Sequence, residues 1–432
     1  MVRSRLVSRF MSALLLVPML VGTSASTAKA AQIPIDHVVV LMQENRSFDS
    51  YFGNLHFRGQ PHTLPEPPGA KNPDPTNPDG PPIHAFAKTQ YCEVADLNHS
   101  WNGTHQQIDG GLMDGFTATN VDVNDPTGSR AMGNYDQSDL PYYYALYNTF
   151  AMGDRYFASA PTQTFPNRLY LLAGTSFGHI RNDNFPPVQG EFSQRSVFDS
   201  LDQAGISWKV YAAQYPFAIA FLFSHVRETA DFNKVFPISK YFQDAAAGTL
   251  PQVAFIDPIF VAPNNIENDE HPPANVQVGE KFTSQVIGAL FASPNWSSSA
   301  LFLTYDEHGG YYDHIAPPAA VTPDDIPPLL LPGDLPGAFD IYGPRVPAVV
   351  VSPYSRPHFV SHVVNDHTSI LHFIENRFGL PTLTRRDAAA NPMLEFFDFS
   401  HASFATPPAL PDAPIAPEQA AYCNTVPSNT MP

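Results

Sequence analysis

Five short apolar runs constrain this chain more than any other feature, at residues 36–43, 207–212, 252–257, 300–305 and 346–352. Each is only strand-length and is uninterrupted by the polar alternation of a half-exposed strand. Such runs are buried on both faces, which requires a mostly parallel sheet covered by helices. Helical patterns with end signals fall between them. Residues 196–203 stop at Ala204-Gly205 and run straight into a strand, and residues 284–291 precede the run at Leu301. Residues 366–378 have Asp366 at the N-cap position and Gly379 just past the end. The expected fold is therefore α/β, a central, mostly parallel sheet with helices on both faces.

Composition supports a deep core: 43% of residues are hydrophobic and 15% charged, which excludes a disordered or coiled-coil chain. With 23 basic against 41 acidic residues and no basic cluster, the chain is a poor nucleic-acid binder. Arg3, Arg5 and Arg9 precede an apolar stretch at residues 11–22, and Ala28-Lys29-Ala30 follows. This pattern predicts a signal peptide over 1–30 and a secreted or periplasmic protein. Residues 31–400 then form one domain and 401–432 a proline-rich tail. Cys92 and Cys423 are the only cysteines. In an exported chain they suit one disulfide tying the tail to the domain, and two buried thiols are the alternative.

Polar clusters follow three of the apolar runs. Glu44-Asn45-Arg46-Ser47-Phe48-Asp49 follows the first, Asp306-Glu307-His308-Gly309-Gly310 the fourth, and Asn365-Asp366-His367 a loop after the fifth. In open α/β sheets, ligands bind beyond the carboxyl ends of strands. Adjacent Asp306 and Glu307 repel unless a cation or a proton lies between them. With Glu44 they suit a hard divalent cation, such as Ca, Mg, Mn or Zn. A fourth segment, Thr162-Gln163-Thr164-Phe165-Pro166-Asn167-Arg168, leads into a helical pattern. Pro166 in the first turn puts Thr164 at or near the N-cap. There its hydroxyl either caps the helix or serves as a metal-activated nucleophile beside an anion-binding helix end.

Four segments together resemble the phosphoesterase family: ENRSFDSYFG at 44–53, TFPNRLY at 164–170, DEHGGYYDHIAPP at 306–318 and NDHTSILHFIENRFG at 365–379. That family includes non-specific phospholipases of type C and secreted acid phosphatases. The resemblance implies an alkaline-phosphatase-like fold and metal-assisted phosphoryl transfer. It assigns Glu44, Asn45, Asp306 and Glu307 to the metal, with Asn45 also touching substrate. It makes Thr164 the nucleophile, with Thr162 as the alternative. His99 and His271 resemble the histidines that hold phosphate or protonate the leaving group. His308, His314 and His367 lie inside matched segments and are open to supporting roles.

Two substrates fit: a phosphatidylcholine-like phospholipid, with transient contact at a membrane surface, or a soluble phosphomonoester. Phe57, Phe86, Phe217, Phe221 and Phe223 are candidates for a lipid-facing rim. No obligate protein partner is expected. A binding protein that had lost catalysis would lack Thr164 or one of the acids, and all are present.

Overall fold

The computed structural model describes Met1 and residues 33–182 and 192–428; the predicted cleavage site at Ala30 lies outside them. From Pro34 onward the chain is built on one eight-stranded sheet. Its strands are β1 (His37–Gln43), β2 (Ala151–Gly153), β3 (Trp208–Ala212), β4 (Val235–Pro237), β5 (Val253–Asp257), β6 (Ser299–Tyr305), β7 (Ala348–Val351) and β8 (Val360–Ser361). They lie in the order β8-β2-β7-β6-β1-β5-β3-β4. All neighbours pair in parallel except those of β7, which runs against both β6 and β2. The mostly parallel sheet is as the apolar runs predict. All five predicted strands form, and the three that sequence reading leaves out are only two or three residues long.

β1 is the central strand, with Val39 level with Leu301 of β6 on one side and Ala254 of β5 on the other. Parallel pairing brings the carboxyl ends of β1, β5 and β6 to one edge. Gln43 is level with Tyr305, so the register carries Glu44 and Asp306 out side by side. That edge is where the polar clusters collect.

The helices include α1 (Phe48–Phe52), α2 (Trp101–Ile108), α3 (Thr164–Ala173), α4 (Val197–Gln203), α5 (Val276–Phe291), α6 (His367–Phe378) and, in the tail, α7 (Pro417–Cys423). α4 and α6 begin in capping boxes at Ser196 and Asp366, and α6 ends at Gly379 in the left-handed region, φ 66°. α5 starts eight residues before the sequence pattern predicts. Val276, Val278 and Gly279 are weak helix formers. Gly279 is there for contact, since a Cβ at this position would lie 2.1 Å from the Glu270 side chain. Tertiary packing outweighs propensity in this first turn. Among the described residues no helix is long and apolar enough to cross a membrane.

Cys92 and Cys423 are joined, 331 residues apart in sequence. Around the bridge, the Asn264 side-chain amide donates to the carbonyls of Cys423 and Val426, both at 3.1 Å. A bond closing so long a loop acts chiefly on the unfolded chain. Reduction should lower stability by about 2–4 kcal/mol, measured as the melting shift with and without reductant. Two titratable thiols in the untreated native protein would rule the bridge out.

Candidate active site

Glu44 and Asn45 leave β1 in a tight turn. The Glu44 N–H donates to the Asp269 carbonyl at 2.7 Å, and Asn45 sits at φ 61°, a left-handed conformation that asparagine tolerates better than most residues. The Asn45 N–H reaches Asp306 Oδ1 at 3.2 Å, and the Glu307 N–H reaches the same oxygen at 2.7 Å. The turn after β6 crosses close over the turn after β1. A Cβ at Gly309 would stand 2.3 Å from the Asn45 carbonyl oxygen, and Gly309 has φ 62°, so only glycine fits. Glu44, Asn45, Asp306 and Glu307, expected together from sequence, are together and buried. Burial also removes Asn45 from use as a glycosylation sequon.

Arg168 stands among these acids. It projects from α3, and its Nη2 donates to the carbonyls of Met42 (3.1 Å) and Gln43 (3.3 Å) at the end of β1. The same nitrogen lies 2.9 Å from Glu44 Oε1, and Nε lies 3.5 Å from Asp306 Oδ2. Among the described residues neither carboxylate oxygen forms an aligned hydrogen bond, so both keep lone pairs free. Sequence reading gives Arg168 no role. Its signal is visible only in retrospect, as an arginine inside an apolar helical stretch.

Burial pushes Asp306 up to about 6, with the neighbouring Glu307 adding to the rise and Arg168 opposing it. Burial raises Glu44 as well, again against Arg168. Glu307 goes the other way: burial is outweighed by His99 and His308, which hold it down to about 2. His99 Nδ1 is 2.5 Å from Glu307 Oε1, and its Nε2 is 3.2 Å from Asp96 Oδ2. Burial would discharge His99, but the two carboxylates dominate and keep it an imidazolium. Asp96 is a second residue that sequence reading passes over. His271 is pulled down by burial and by the charge on His99, against Asp96.

The His271 ring meets the Asn45 side-chain amide. Its Nδ1 lies 2.5 Å from the Pro272 carbonyl oxygen, and its Nε2 faces Asn45. One end of the Asn45 amide is 2.7 Å from that Nε2; the other is 2.7 Å from Glu307 Oε1 and 3.2 Å from Asp306 Oδ1. The amide satisfies both neighbours with its nitrogen donating to the two carboxylate oxygens and its oxygen accepting from His271 Nε2–H. Buried carboxylate oxygens of Asp306 and Glu307 converge there. A divalent cation fits such a donor set, with Glu44 beside it. Asp96, His99 and His271 also bring one ligand atom each within 4.8 Å of one another.

Thr164 is the first helical residue of α3, next to the N-cap as expected, with Gln163 in the N-cap place. It lies one turn before Arg168 on the same helix. The Phe165 N–H donates to Asn182 Oδ1 at 2.9 Å, and the Asn182 N–H donates to Gln163 Oε1 at 3.0 Å, so the helix start is braced from outside. The hydroxyl of Thr162 donates to the Ile180 carbonyl in a short hydrogen bond and is thereby committed. Thr164 forms no comparable bond among the described residues. A cavity of about 280 Å³ opens beside this helix start, with Ser100, Trp101, Gln163 and Asn182 in its walls.

The remaining histidines of the matched segments are supports. His308 holds Glu307 from Nδ1 (3.3 Å) and meets Gln107 Oε1 from Nε2 (2.6 Å). Burial drives His367 down to about 3, and its Nε2–H donates to the Asp306 carbonyl at 2.6 Å. His314 belongs to a separate buried cluster in which Arg345 joins Asp49 (2.9 Å) to Asp313 (2.8 Å). Phe221 and Phe223 are buried, which removes them from the predicted rim: they pack on Phe232 and on Phe192 and Phe198. Phe57 and Phe86 are exposed.

The model of the Phosphoesterase family matches residues 35–381, which covers the sheet, the turns after β1 and β6, and α3. The chain belongs to that family. This phosphoesterase is 34% identical over 421 residues to phospholipase C B of Mycobacterium tuberculosis, covering 85% of this chain and 78% of the relative. It is 32% identical over 389 residues to non-specific phospholipase C1 of Arabidopsis thaliana, covering 85% and 71%. Against the non-hemolytic phospholipase C of Pseudomonas aeruginosa it is 32% identical over 422 residues, covering 88% and 59%. Among solved structures it is similar to an alkaline phosphatase superfamily protein of Vibrio parahaemolyticus, with 8% identity and a TM-score of 0.41, covering 84% and 70%. As a member of this family it is a phosphoric ester hydrolase, and its buried acid, arginine and histidine groups are the chemistry at its disposal.

Proposed function

We propose that the protein is an exported, metal-dependent phosphoesterase of the phospholipase C type, cleaving phosphatidylcholine-like lipids through a phosphothreonine intermediate. The observation that carries this reading is the placement of Thr164. Its hydroxyl is uncommitted among the described residues at the start of α3, one turn from the arginine that touches both Glu44 and Asp306. The relatives named as phospholipases C support the substrate class, and the signal-peptide pattern supports export.

In this mechanism the Thr164 hydroxyl releases its proton to water as its oxygen attacks phosphorus in line, and the bond from phosphorus to the glycerol oxygen breaks. His99, kept charged by Asp96 and Glu307, stabilises charge on the phosphoryl oxygens and protonates the leaving alcohol. His271, expected at the substrate, also holds the Asn45 amide. Arg168 balances the acids, so that the site does not carry their full charge before substrate enters. A divalent cation held by Glu44, Asn45, Asp306 and Glu307 would supply further positive charge and lower the pKa of a nearby hydroxyl. Water then hydrolyses the phosphothreonine with His99 as the base.

Purified protein should hydrolyse p-nitrophenylphosphorylcholine faster than p-nitrophenyl phosphate, and chelator should abolish both activities. A preference for p-nitrophenyl phosphate would make the protein an acid phosphatase instead.

A further inference from the structure

Large exposed hydrophobic side chains concentrate in one loop. Ile326 (40% exposed), Leu329 (49%), Leu330 (42%) and Leu331 (58%) fall within six residues, in the sequence Ile-Pro-Pro-Leu-Leu-Leu. A contiguous apolar patch of this kind on a charged, water-facing protein marks a docking surface. The loop is held rather than loose. The Leu329 N–H donates to the Gly178 carbonyl at 2.9 Å, the Ile326 N–H to Asp324 Oδ1 at 2.8 Å, and the Leu331 N–H to Asp334 Oδ2 at 2.5 Å. Gly178 makes the close approach possible: it has φ 87°, and a Cβ there would lie 2.9 Å from the Pro327 carbonyl oxygen. These backbone N–H groups are satisfied within the protein, and the side chains are left facing out. An apolar interface can accept that surface without stranding these donors.

The loop also borders the site. Asp334 bonds the loop at Leu331 and pairs with Arg181 at 2.5 Å, and both residues line the 280 Å³ cavity. Other walls of that cavity are Ser100, next to His99, and Gln163, next to Thr164. A lipid drawn from an interface at the loop would enter beside the proposed nucleophile.

Charge selects the interface. Asp324, Asp325 and Asp334 surround the loop, the nearby Arg181 and Arg385 are each paired with one of these acids, and the chain carries a net charge of −18. An anionic bilayer would repel this face, whereas a zwitterionic one would not. We propose that residues 326–331 dock the protein on phosphatidylcholine-type bilayers and pass single lipids to the cavity behind them. This deepens the phospholipase C reading and rests on it.

Vesicle flotation tests the proposal, using Thr164→Ala protein so that product does not alter the membrane. Phosphatidylcholine vesicles should carry this protein up, and vesicles with added phosphatidylserine should carry less. Adding Leu329→Ser, Leu330→Ser and Leu331→Ser should cut flotation by about tenfold or more. In the otherwise wild-type enzyme the same three changes should cut turnover on vesicles by a similar factor. Turnover of dissolved p-nitrophenylphosphorylcholine should stay unchanged, which also shows that the fold survives. Equal flotation with and without the leucines, or stronger binding to anionic vesicles, would overturn the docking proposal. Failure of the wild-type enzyme on the dissolved diester would instead overturn the phospholipase C reading, while flotation, which needs no turnover, still decides the docking.

Discussion

Thr164→Ala should lower turnover by about three orders of magnitude or more, because it removes the atom proposed to take the phosphoryl group. Thr164→Ser keeps a hydroxyl at the start of α3 and should retain a measurable part of the activity. Thr162→Ala should behave differently. Its hydroxyl is bound to the Ile180 carbonyl, so its loss should cost about 1 kcal/mol of stability and leave turnover in the folded protein nearly intact. Acid-quenching a reaction with phosphate-labelled substrate, then mapping peptides, should place the label on Thr164. A structural role at the helix start predicts the reverse: Thr164→Ala would melt earlier and still turn over. Label on Thr162, or full activity in Thr164→Ala, would end the assignment.

Much of this arrangement is legible in sequence because parallel strands carry position along the chain into position in space. The runs ending at Gln43 and Tyr305 announce β1 and β6, and their register alone brings Glu44 beside Asp306. The capped ends of α4 and α6 are legible for a local reason, since Ser196, Asp366 and Gly379 act on their own backbone. What escapes sequence reading is long-range. Arg168 is an apolar-helix residue until α3 is packed against the end of β1. Asp96 is a loop acid until it faces His99. The start of α5 is hidden because Gly279 is chosen for its contact with Glu270 rather than for helix formation. Two of the expected rim residues fail for a related reason: Phe221 and Phe223 sit in stretches that look like loops but turn inward, while Phe57 and Phe86 are exposed, as are the aliphatic residues of the proline-rich stretch at 326–331.

Asp306→Asn should strip the protein of its divalent ion and reduce turnover by about three orders of magnitude or more while leaving the fold in place. The change is nearly isosteric, and the amide oxygen can still accept from the N–H groups of Asn45 and Glu307 that now bond to Asp306 Oδ1. What is lost is a negative charge among the buried carboxylates, and Arg168 keeps Glu44 as its partner at 2.9 Å. Metal analysis of the purified variant, set beside wild type and a chelator-treated sample, should show the ion gone and the melting point little changed. The competing account treats Asp306 as half of a buried ion pair with Arg168. Breaking a buried pair costs about 3–5 kcal/mol, so that account predicts a large fall in melting point and an unaltered metal content. The free lone pairs on Asp306 Oδ2 and Glu44 Oε1, each near Arg168 yet not aligned to it, favour the first account. An Asp306→Asn enzyme with its metal and its turnover intact would remove these four residues from the proposed centre.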